Sequence, residues 1–250
     1  MVTKVVPGLL IATQDAAQAA REACNRITKT IQDAIRDRGT ASIALSGGNS
    51  PLDAYRLLAR ETIDWKKVHV YWVDERAVPP THERSNYGAA KQAFLDHAGV
   101  PEANVHRMRG EASDVEIAAQ DYEAELRDTV KSKLGGLPAL DLLVMGIGDD
   151  GHTASLFPGG KTVHVTDRLV AAVPAKGSEG EPREPRLTLT APVLENARAS
   201  VVVVLGKSKH PALEQIWSTN GDVEQIPGRV IRNFRGSICW IIDRAAGGMS

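Results

Sequence analysis

The chain has 250 residues, enough for one large α/β domain or two small ones. Its 31 acidic and 30 basic side chains leave a formal charge of −1, so the charge does not favour nucleic acid or an anionic membrane as a partner. No segment approaches the roughly 18 apolar residues that would span a bilayer, and the N-terminus lacks the features of a secretory signal. Cys24 and Cys239 lie in apolar patterns. We expect them to be reduced core residues of a cytoplasmic protein.

Helix and strand patterns alternate along the chain. Asp15 predicts the N-cap of a helix that runs to about Arg38, where Gly39 ends it. The further predicted elements are a strand over 42–45, a helix to about 60, a strand over 68–73, helices over 86–94 and 114–133, and strands over 142–145, 169–173, 200–205 and 238–242. Short apolar strands separated by helices are typical of an α/β fold with a mostly parallel sheet covered by helices on both faces. In this interpretation the strand over 42–45 is the first of the chain.

The most informative stretch runs from Asp141 to Pro158, with the sequence DLLVMGIGDDGHTASLFP. An apolar strand ends there in a glycine-rich turn, which carries Asp150 and His152 just past the carboxyl end of the strand. Ligands bind at this end of the strands in open parallel α/β sheets. Histidine is the side chain whose ordinary pKa suits proton transfer near neutral pH. The pattern therefore predicts that His152 is a catalytic residue.

Two other interpretations of this turn stay open on the residues alone. Glycine and aspartate at a strand-to-helix junction often serve only turn geometry and helix capping. Asp149, Asp150 and His152 are also potential metal ligands, but no second cluster of histidines or cysteines stands at ligand spacing to complete a coordination shell. A metal site is accordingly not predicted.

A second loop has the composition of an anion site. Residues 46–51 read Ser-Gly-Gly-Asn-Ser-Pro and follow the predicted strand over 42–45. Pro51 suits the first turn of a helix, so the backbone N–H groups of Gly47, Gly48 and Asn49 would point with the positive end of the helix dipole at one place. A plain glycine turn is the alternative. The spacing is neither that of a P-loop nor of a dinucleotide-binding fingerprint, so nucleotide binding is not indicated.

Three cations follow or flank other predicted strands. Arg76 closes the run Asp-Glu-Arg after the strand over 68–73, Arg186 lies in Pro-Arg-Leu-Thr, and Lys207 follows the strand over 200–205. Each alone is more typical of a solvated surface. Four strand ends that carry such groups together favour a site for a phosphorylated ligand, in which guanidinium groups bind phosphate through paired hydrogen bonds.

These residues resemble one known family, the 6-phosphogluconolactonases of the bacterial and eukaryotic cytosolic type. Five ordered blocks carry the resemblance: Ser46-Gly47-Gly48 with Pro51; Trp72 to Arg76 with Ser85-Asn86-Tyr87; Gly146 to Pro158; Pro185 to Thr188; and Gly206-Lys207. One departure is Asn49-Ser50, where the family more often has Ser-Thr. Because backbone N–H groups would bind the anion in that loop, the different side chains do not change its predicted role.

The resemblance implies a single domain over residues 1–250 with a Rossmann-like sheet, as in glucosamine-6-phosphate deaminases and sugar-phosphate isomerases. It also implies hydrolysis of 6-phospho-D-glucono-1,5-lactone, the second step of the oxidative pentose phosphate pathway. We expect His152 to take a proton from the attacking water and Asp150 to orient its imidazole. Gly47, Gly48 and Asn49, with Arg76, Arg186 and Lys207, are expected to bind the substrate. No cofactor is expected, since ester hydrolysis needs only water and a base.

Two rival functions occur on the fold that the resemblance implies. Deaminases of the related branch usually follow the histidine with Ile-Ala-Phe-Asn-Glu-Pro and have Asp-Glu-Tyr in place of Asp-Glu-Arg. Here Phe157 stands where that glutamate would be, which argues against deaminase chemistry. A sensor that binds a sugar phosphate without turning it over is normally fused to a DNA-binding helix-turn-helix. The balanced charge and the short segment before residue 42 do not favour one.

Two further segments invite expectations. Residues 175–185, AKGSEGEPREP, have the composition of a mobile loop that could close over the site. Residues 245–250 are predicted to be a frayed tail. A small-molecule substrate is the only partner expected. The oligomeric state is not decided by the residues, and a monomer is compatible with them.

Overall fold

The computed structural model describes residues 3–176 and 182–249. The strands are β1 (Leu9–Thr13), β2 (Ala41–Leu45), β3 (Val68–Trp72), β4 (Asp74–Arg76), β5 (Lys133–Leu134), β6 (Leu137–Pro138), β7 (Leu142–Met145), β8 (Val170–Val173), β9 (Arg186–Leu189), β10 (Ala199–Val204) and β11 (Ser237–Asp243). The α-helices are α1 (Ala16–Arg38), α2 (Asn49–Leu58), α3 (Asn86–Ala90), α4 (Asp96–Ala98), α5 (Val115–Thr129), α6 (Ala191–Glu195) and α7 (His210–Trp217). A π-helical segment, Lys91–Leu95, joins α3 to α4.

Six strands form one parallel sheet in the order β1-β11-β10-β7-β2-β3. Every residue of β2 and of β7 is buried, which requires that both faces of the sheet are covered. From β2 the chain runs outward to β3, then returns to β7 on the other side of β2 and continues to β10. The connections therefore reverse direction between β2 and β7. In an open α/β sheet this reversal opens a crevice at the carboxyl ends of the two strands.

Helix α1 shows how local sequence sets an element. The Asp15 side chain accepts a hydrogen bond of 2.7 Å from the backbone N–H of Gln18, which caps the first turn. Gly39 ends the helix in the left-handed conformation, with φ +82°, and its N–H donates to the carbonyl of Ile35. One stripe of the helix is buried against the sheet: Ala19, Ala20, Ala23, Cys24, Ile27, Thr28, Ile31 and Ala34. These bounds agree with the predicted helix.

A second, antiparallel sheet of three strands has the order β4-β9-β8. It brings Asp74–Arg76, which directly follow the end of β3, alongside residues 186–188, which are more than 100 positions later in the chain. Arg186 begins β9. Arg186 was expected at a strand end near the site. It lies at the amino end of β9, which reaches the site because β9 runs antiparallel to β4.

Four differences from the sequence-based expectations stand out. The chain begins its sheet with β1, not with the strand over 42–45, because Leu9–Thr13 pairs with β11. Helix α5 ends at Thr129, four residues before the predicted end, since Val130 leaves the helical conformation. The sequence predicts Asn86 as the N-cap of the helix over 86–94, whereas the side chain of Ser85 caps α3.

The fourth difference concerns the C-terminus. Residues 245–249, expected to fray, form a turn in which Ala246 is buried and its N–H donates to the Asp243 carboxylate. Ser250 lies outside the described residues. The expected mobile loop over 175–185 includes residues 177–181, which also lie outside them. The interpretation of that loop as a lid stays a prediction.

Candidate active site

A cavity of about 380 Å³ opens at the reversal between β2 and β7. Its walls come from the loops after β2 and β7, from β4 and β9, and from the chain after β10. They are formed by Ser46, Gly47, Gly48, Asn49, Ser50, Pro51, Asp74, Arg76, Asn86, Gly146, Ile147, Gly148, His152, Ala154, Arg186, Leu205 and Lys209. The structure thus brings together His152, the Gly47–Asn49 loop, Arg76 and Arg186, as the sequence predicted.

The imidazole of His152 is held by Asp150. Its Nδ1 lies 2.6 Å from Oδ1 of Asp150, and the same oxygen accepts the backbone N–H of His152 at 3.0 Å. The His152 ring also packs against Phe157, with the ring centroids 4.6 Å apart. With the carboxylate accepting, the proton of a neutral imidazole lies on Nδ1. Nε2 then has a free lone pair and can accept a proton, and His152 lines the cavity.

Asp150 is suited to remain ionised beside this imidazole. Burial acts to raise the pKa of its carboxyl group, but the hydrogen bonds and charge of His152 outweigh burial, so the pKa lies below its ordinary value. An ionised carboxylate stabilises the imidazolium that forms when His152 takes a proton.

Gly148 makes this pairing possible. A Cβ atom at residue 148 would overlap the Nδ1 atom of His152 and lie 2.6 Å from Oδ1 of Asp150. The backbone N–H of Gly148 also donates to the carbonyl of His152 at 2.8 Å, which closes the turn. The glycine therefore leaves the volume that the two catalytic candidates occupy.

The loop after β2 presents the free end of a helix to the cavity. Gly48, the N-cap of α2, has φ +87° and ψ +165°, a conformation that residues with a Cβ rarely adopt, and it offers no side-chain oxygen to the helix. The N–H groups of the first turn are thus available to a ligand. Ser46 is 8% exposed and lines the cavity, and its buried hydroxyl has no hydrogen-bond partner among the described residues.

Glu75 explains how Arg76 is positioned. Glu75 is 2% exposed. Its carboxylate accepts the backbone N–H groups of Arg76, Asn86 and Tyr87 at 2.7, 2.7 and 2.8 Å, and the Ser85 hydroxyl at 3.1 Å. Burial raises its pKa, against these backbone bonds, which lower it. Glu75 ties β4 to the start of α3.

Arg76 itself is anchored at one end. Its NH1 atom donates to the carbonyl of Arg84 at 2.6 Å, while Nε is buried with no hydrogen-bond partner among the described residues. Arg186 lies with its guanidinium carbon 5.8 Å from the centroid of the Phe157 ring, the same ring that packs on His152. Arg186 is therefore at the end of the cavity that carries the base.

The sequence predicts that Lys207 binds the substrate, but the structure places a different lysine, Lys209, in the wall of the cavity. Lys207 is exposed and is absent from the described wall of the cavity, whereas Lys209 lines it. Gly206 and a short 3-10 turn, Lys207–Lys209, rotate the chain after β10 so that the second lysine faces inward. Lys209 Nζ contacts Oδ1 of Asp149 at 2.7 Å, and this hydrogen bond lowers the pKa of that carboxyl group.

Sequence reasoning also missed Ser46, Asp74 and Asn86 as wall residues. Each lies in a motif that predicts the site, but in these motifs the backbone N–H groups of the glycine loop and the guanidinium of Arg76 are the stronger signals for a phosphate. No group of three potential ligands among His, Cys, Asp and Glu is arranged to hold a metal ion in residues 3–176 and 182–249. Over the same ranges, no helix is long and apolar enough to cross a membrane.

The sequence profile described as glucosamine-6-phosphate isomerases/6-phosphogluconolactonase matches residues 14–240. The chain belongs to this family. It is 44% identical over 221 residues to a 6-phosphogluconolactonase of Synechocystis, with 88% of this chain and 89% of the relative covered.

Solved structures agree with this membership. A 6-phosphogluconolactonase from Trypanosoma cruzi superposes with a TM-score of 0.86 at 29% identity, covering 99% of this chain and 98% of that one. A monomeric glucosamine-6-phosphate deaminase superposes with a TM-score of 0.78 at 20% identity, covering 97% and 100%. That second likeness concerns the fold alone, and it matches the Rossmann-like α/β architecture expected from the sequence.

Proposed function

We propose that the protein is a hydrolase that converts 6-phospho-D-glucono-1,5-lactone to 6-phospho-D-gluconate. The observation that carries the proposal is the His152–Asp150 pair of 2.6 Å in a cavity walled by cations and by a helix N-terminus. A base and an anion anchor in one cavity match the two ends of this substrate, an ester carbonyl at C1 and a phosphate at C6. Relatives of the family named 6-phosphogluconolactonase support the same reaction.

The base acts in both halves of the reaction. Nε2 of His152 takes a proton from a water molecule as its oxygen attacks C1, and the tetrahedral intermediate carries a negative oxygen. Asp150 keeps the Nδ1 proton in place and stabilises the imidazolium. When the C1–O5 bond breaks, the imidazolium returns the proton to the departing ring oxygen. The products are the open-chain acid and a regenerated base.

Two roles remain, which are binding of the phosphate and stabilisation of the negative oxygen at C1. We assign the phosphate to the free N–H groups of the loop over residues 47–49, together with Arg76. Arg186 shares the Phe157 ring with His152, so we assign it to the oxygen that becomes negative at C1. Lys209 takes the place in this scheme that was predicted for Lys207.

The deaminase alternative gains no support from the site. Phe157 is 3% exposed and packs its ring on His152, where a deaminase would carry a supporting glutamate. An aromatic ring there limits the motion of the imidazole and provides no carboxylate. Asp150 supplies the only carboxylate that the described residues offer to His152.

The test generates the lactone in situ from glucose 6-phosphate and compares its decay with and without the purified protein. Wild type should exceed the spontaneous rate, and His152→Ala should lower kcat by about 10²–10⁴-fold, or about 3–5 kcal/mol of barrier. His164→Ala is the matched control, because His164 is an exposed histidine that contacts Glu224. Full activity of His152→Ala would reject the mechanism. A wild-type rate equal to the background would reject the function.

Location and assembly stay predictions. We infer a cytoplasmic location from Cys24 and Cys239, which are both free and buried. The oligomeric state is not decided by the sequence, with which a monomer is compatible, and size-exclusion chromatography with light scattering measures it.

A further inference from the structure

The mechanism above leaves one buried carboxylate of the cavity without a task. Asp74 is the first residue of β4, is 6% exposed and lines the cavity. It is the only acidic residue among the described wall residues. The other polar wall groups are mainly donors: the Ser46 hydroxyl, the loop N–H groups, Arg76, Arg186 and Lys209. A negative group disfavours an anionic substrate electrostatically, so its presence here calls for a compensating contact.

Asp74 is held rigidly, by neutral donors. Its Oδ1 accepts the Nδ2 amide of Asn86 at 3.2 Å, and its Oδ2 accepts the Ser155 hydroxyl at 2.6 Å. The Asn86 amide also donates to the backbone carbonyl of Asp74 at 2.8 Å. An ionised carboxylate has about four acceptor positions. These two side-chain bonds leave room for further donors on the side of the cavity.

The two partners of Asp74 belong to the two halves of the site. Asn86 packs on the anion loop so closely that a Cβ atom at Gly47 would overlap its amide. Ser155 follows the base His152 by three residues in the loop after β7. The carboxylate is therefore anchored between the phosphate end and the carbonyl end. In the substrate, the ring carbons that carry free hydroxyl groups are C2, C3 and C4, and each of these hydroxyls can donate to an acceptor.

We propose that Asp74 is a specificity-determining residue that accepts a hydrogen bond from a ring hydroxyl of the phosphorylated lactone. This inference rests on the proposed function, since it names how that substrate is recognised. A site built around a buried acceptor rejects an analogue that lacks the donor, because the acceptor is then desolvated without a partner. Phosphorylated lactones without that hydroxyl are therefore poor substrates.

The first arm of the test needs no variant. The 2-, 3- and 4-deoxy analogues of glucose 6-phosphate are oxidised in situ, and kcat/KM of the wild-type protein is measured for each lactone. One analogue should lose about 10- to 100-fold relative to the parent lactone. If all three analogues react within about twofold of the parent, the inference is rejected.

The second arm assigns the loss to Asp74. In Asp74→Asn the single amide oxygen is engaged by Ser155 or Asn86, so the substrate loses its acceptor. The variant should be impaired on the parent lactone, while the discrimination against the affected deoxy lactone falls toward one. A role in holding the loops alone would lower kcat/KM for every lactone by the same factor and leave the discrimination at its wild-type value, which would overturn the proposal.

Asp141→Asn is the matched control. Asp141 is also a buried carboxylate, 4% exposed, but it lies before β7 at the amino ends of the strands, where it accepts bonds from Ser42 and Arg38. This variant should lose stability and keep the wild-type discrimination. If the wild type fails on the parent lactone, the proposed function falls together with this inference. Activity on the parent with no discrimination among analogues rejects the inference alone.

Discussion

Arg76 and Arg186 stand directly opposite each other on antiparallel strands. They are register partners in the pairing of β4 with β9, and both line the cavity. Residues paired in this way share a face of the sheet, and like charges directly opposite destabilise it. A phosphate or a developing oxyanion between them offsets that repulsion. The antiparallel sheet thus concentrates positive charge in the cavity where we propose that the substrate binds.

Inorganic phosphate should therefore stabilise the folded protein. A ligand that binds only the folded state at about 100 times its Kd adds about 2.7 kcal/mol to the free energy of unfolding. We expect the thermal midpoint to rise with phosphate, and to rise much less in Arg76→Met. Differential scanning fluorimetry against chloride at equal ionic strength measures both. Arg36→Met, on the exposed end of α1, is the control and should respond as wild type does. An equal phosphate response in Arg76→Met would contradict the prediction.

Gly148→Ala should damage catalysis more than stability. The added methyl group would lie 2.0 Å from Nδ1 of His152 and 2.6 Å from Oδ1 of Asp150, so the imidazole must move away from Asp150. Because a shift of about 1 Å at a reacting group costs about 10²-fold, we expect a loss of kcat of that order. Gly146→Ala is the matched control in the same loop, since its Cβ atom would meet only the Val203 carbonyl, at 3.9 Å. Steady-state kinetics measure the loss of kcat in both variants, and thermal midpoints measure the loss of stability. Similar kinetics in the two variants would show that the glycine serves the turn alone.

The parts of this fold that the sequence predicted are those with a local signal. Helix α1 has a capping aspartate and a terminal glycine, and β7 is an apolar run that ends in glycines. His152 follows from β7 directly, since the sheet itself delivers the loop to the crevice. These features need no knowledge of distant contacts.

The missed parts depend on partners that are far away in the chain. Strand β4 consists of Asp-Glu-Arg, which has no apolar pattern and is a strand only because β9 pairs with it. Strand β1 likewise depends on β11, about 230 residues later. The choice between Lys207 and Lys209 depends on the rotation of a single 3-10 turn. Composition carries no information about that rotation.

The two lysines provide a direct comparison. Lys209 lines the cavity and pairs with Asp149, whereas Lys207 is exposed. We expect Lys209→Met to lower kcat/KM for the lactone by about 10-fold, the value of one charge-assisted hydrogen bond. Lys207→Met should stay within about twofold of wild type. The in situ lactone assay measures both, with circular dichroism as a check on folding. A larger loss in Lys207→Met than in Lys209→Met would restore the sequence-based assignment.

A chain of three side chains lies at the amino ends of the strands, opposite the cavity. Nδ1 of His69 is 3.0 Å from Nε2 of His106, whose Nδ1 is 2.7 Å from Oε1 of Glu125. Burial lowers the pKa of His69 below its ordinary value of 6.5, and the nearby His106 and Lys131 lower it further. His69 is therefore harder to protonate in the folded protein than in the unfolded chain.

The free energy of unfolding should accordingly fall in mild acid. Between pH 6.5 and the lower pKa of the folded state, the unfolded chain binds a proton at His69 that the folded protein does not, so stability decreases as the pH falls through this window. His69→Gln removes this contribution, and its stability profile should be flatter than that of wild type from about pH 7 to about pH 5. Urea unfolding at a series of pH values measures the slopes, with the exposed His97→Gln as the control. Parallel profiles for wild type and His69→Gln would show that His69 titrates alike in both states.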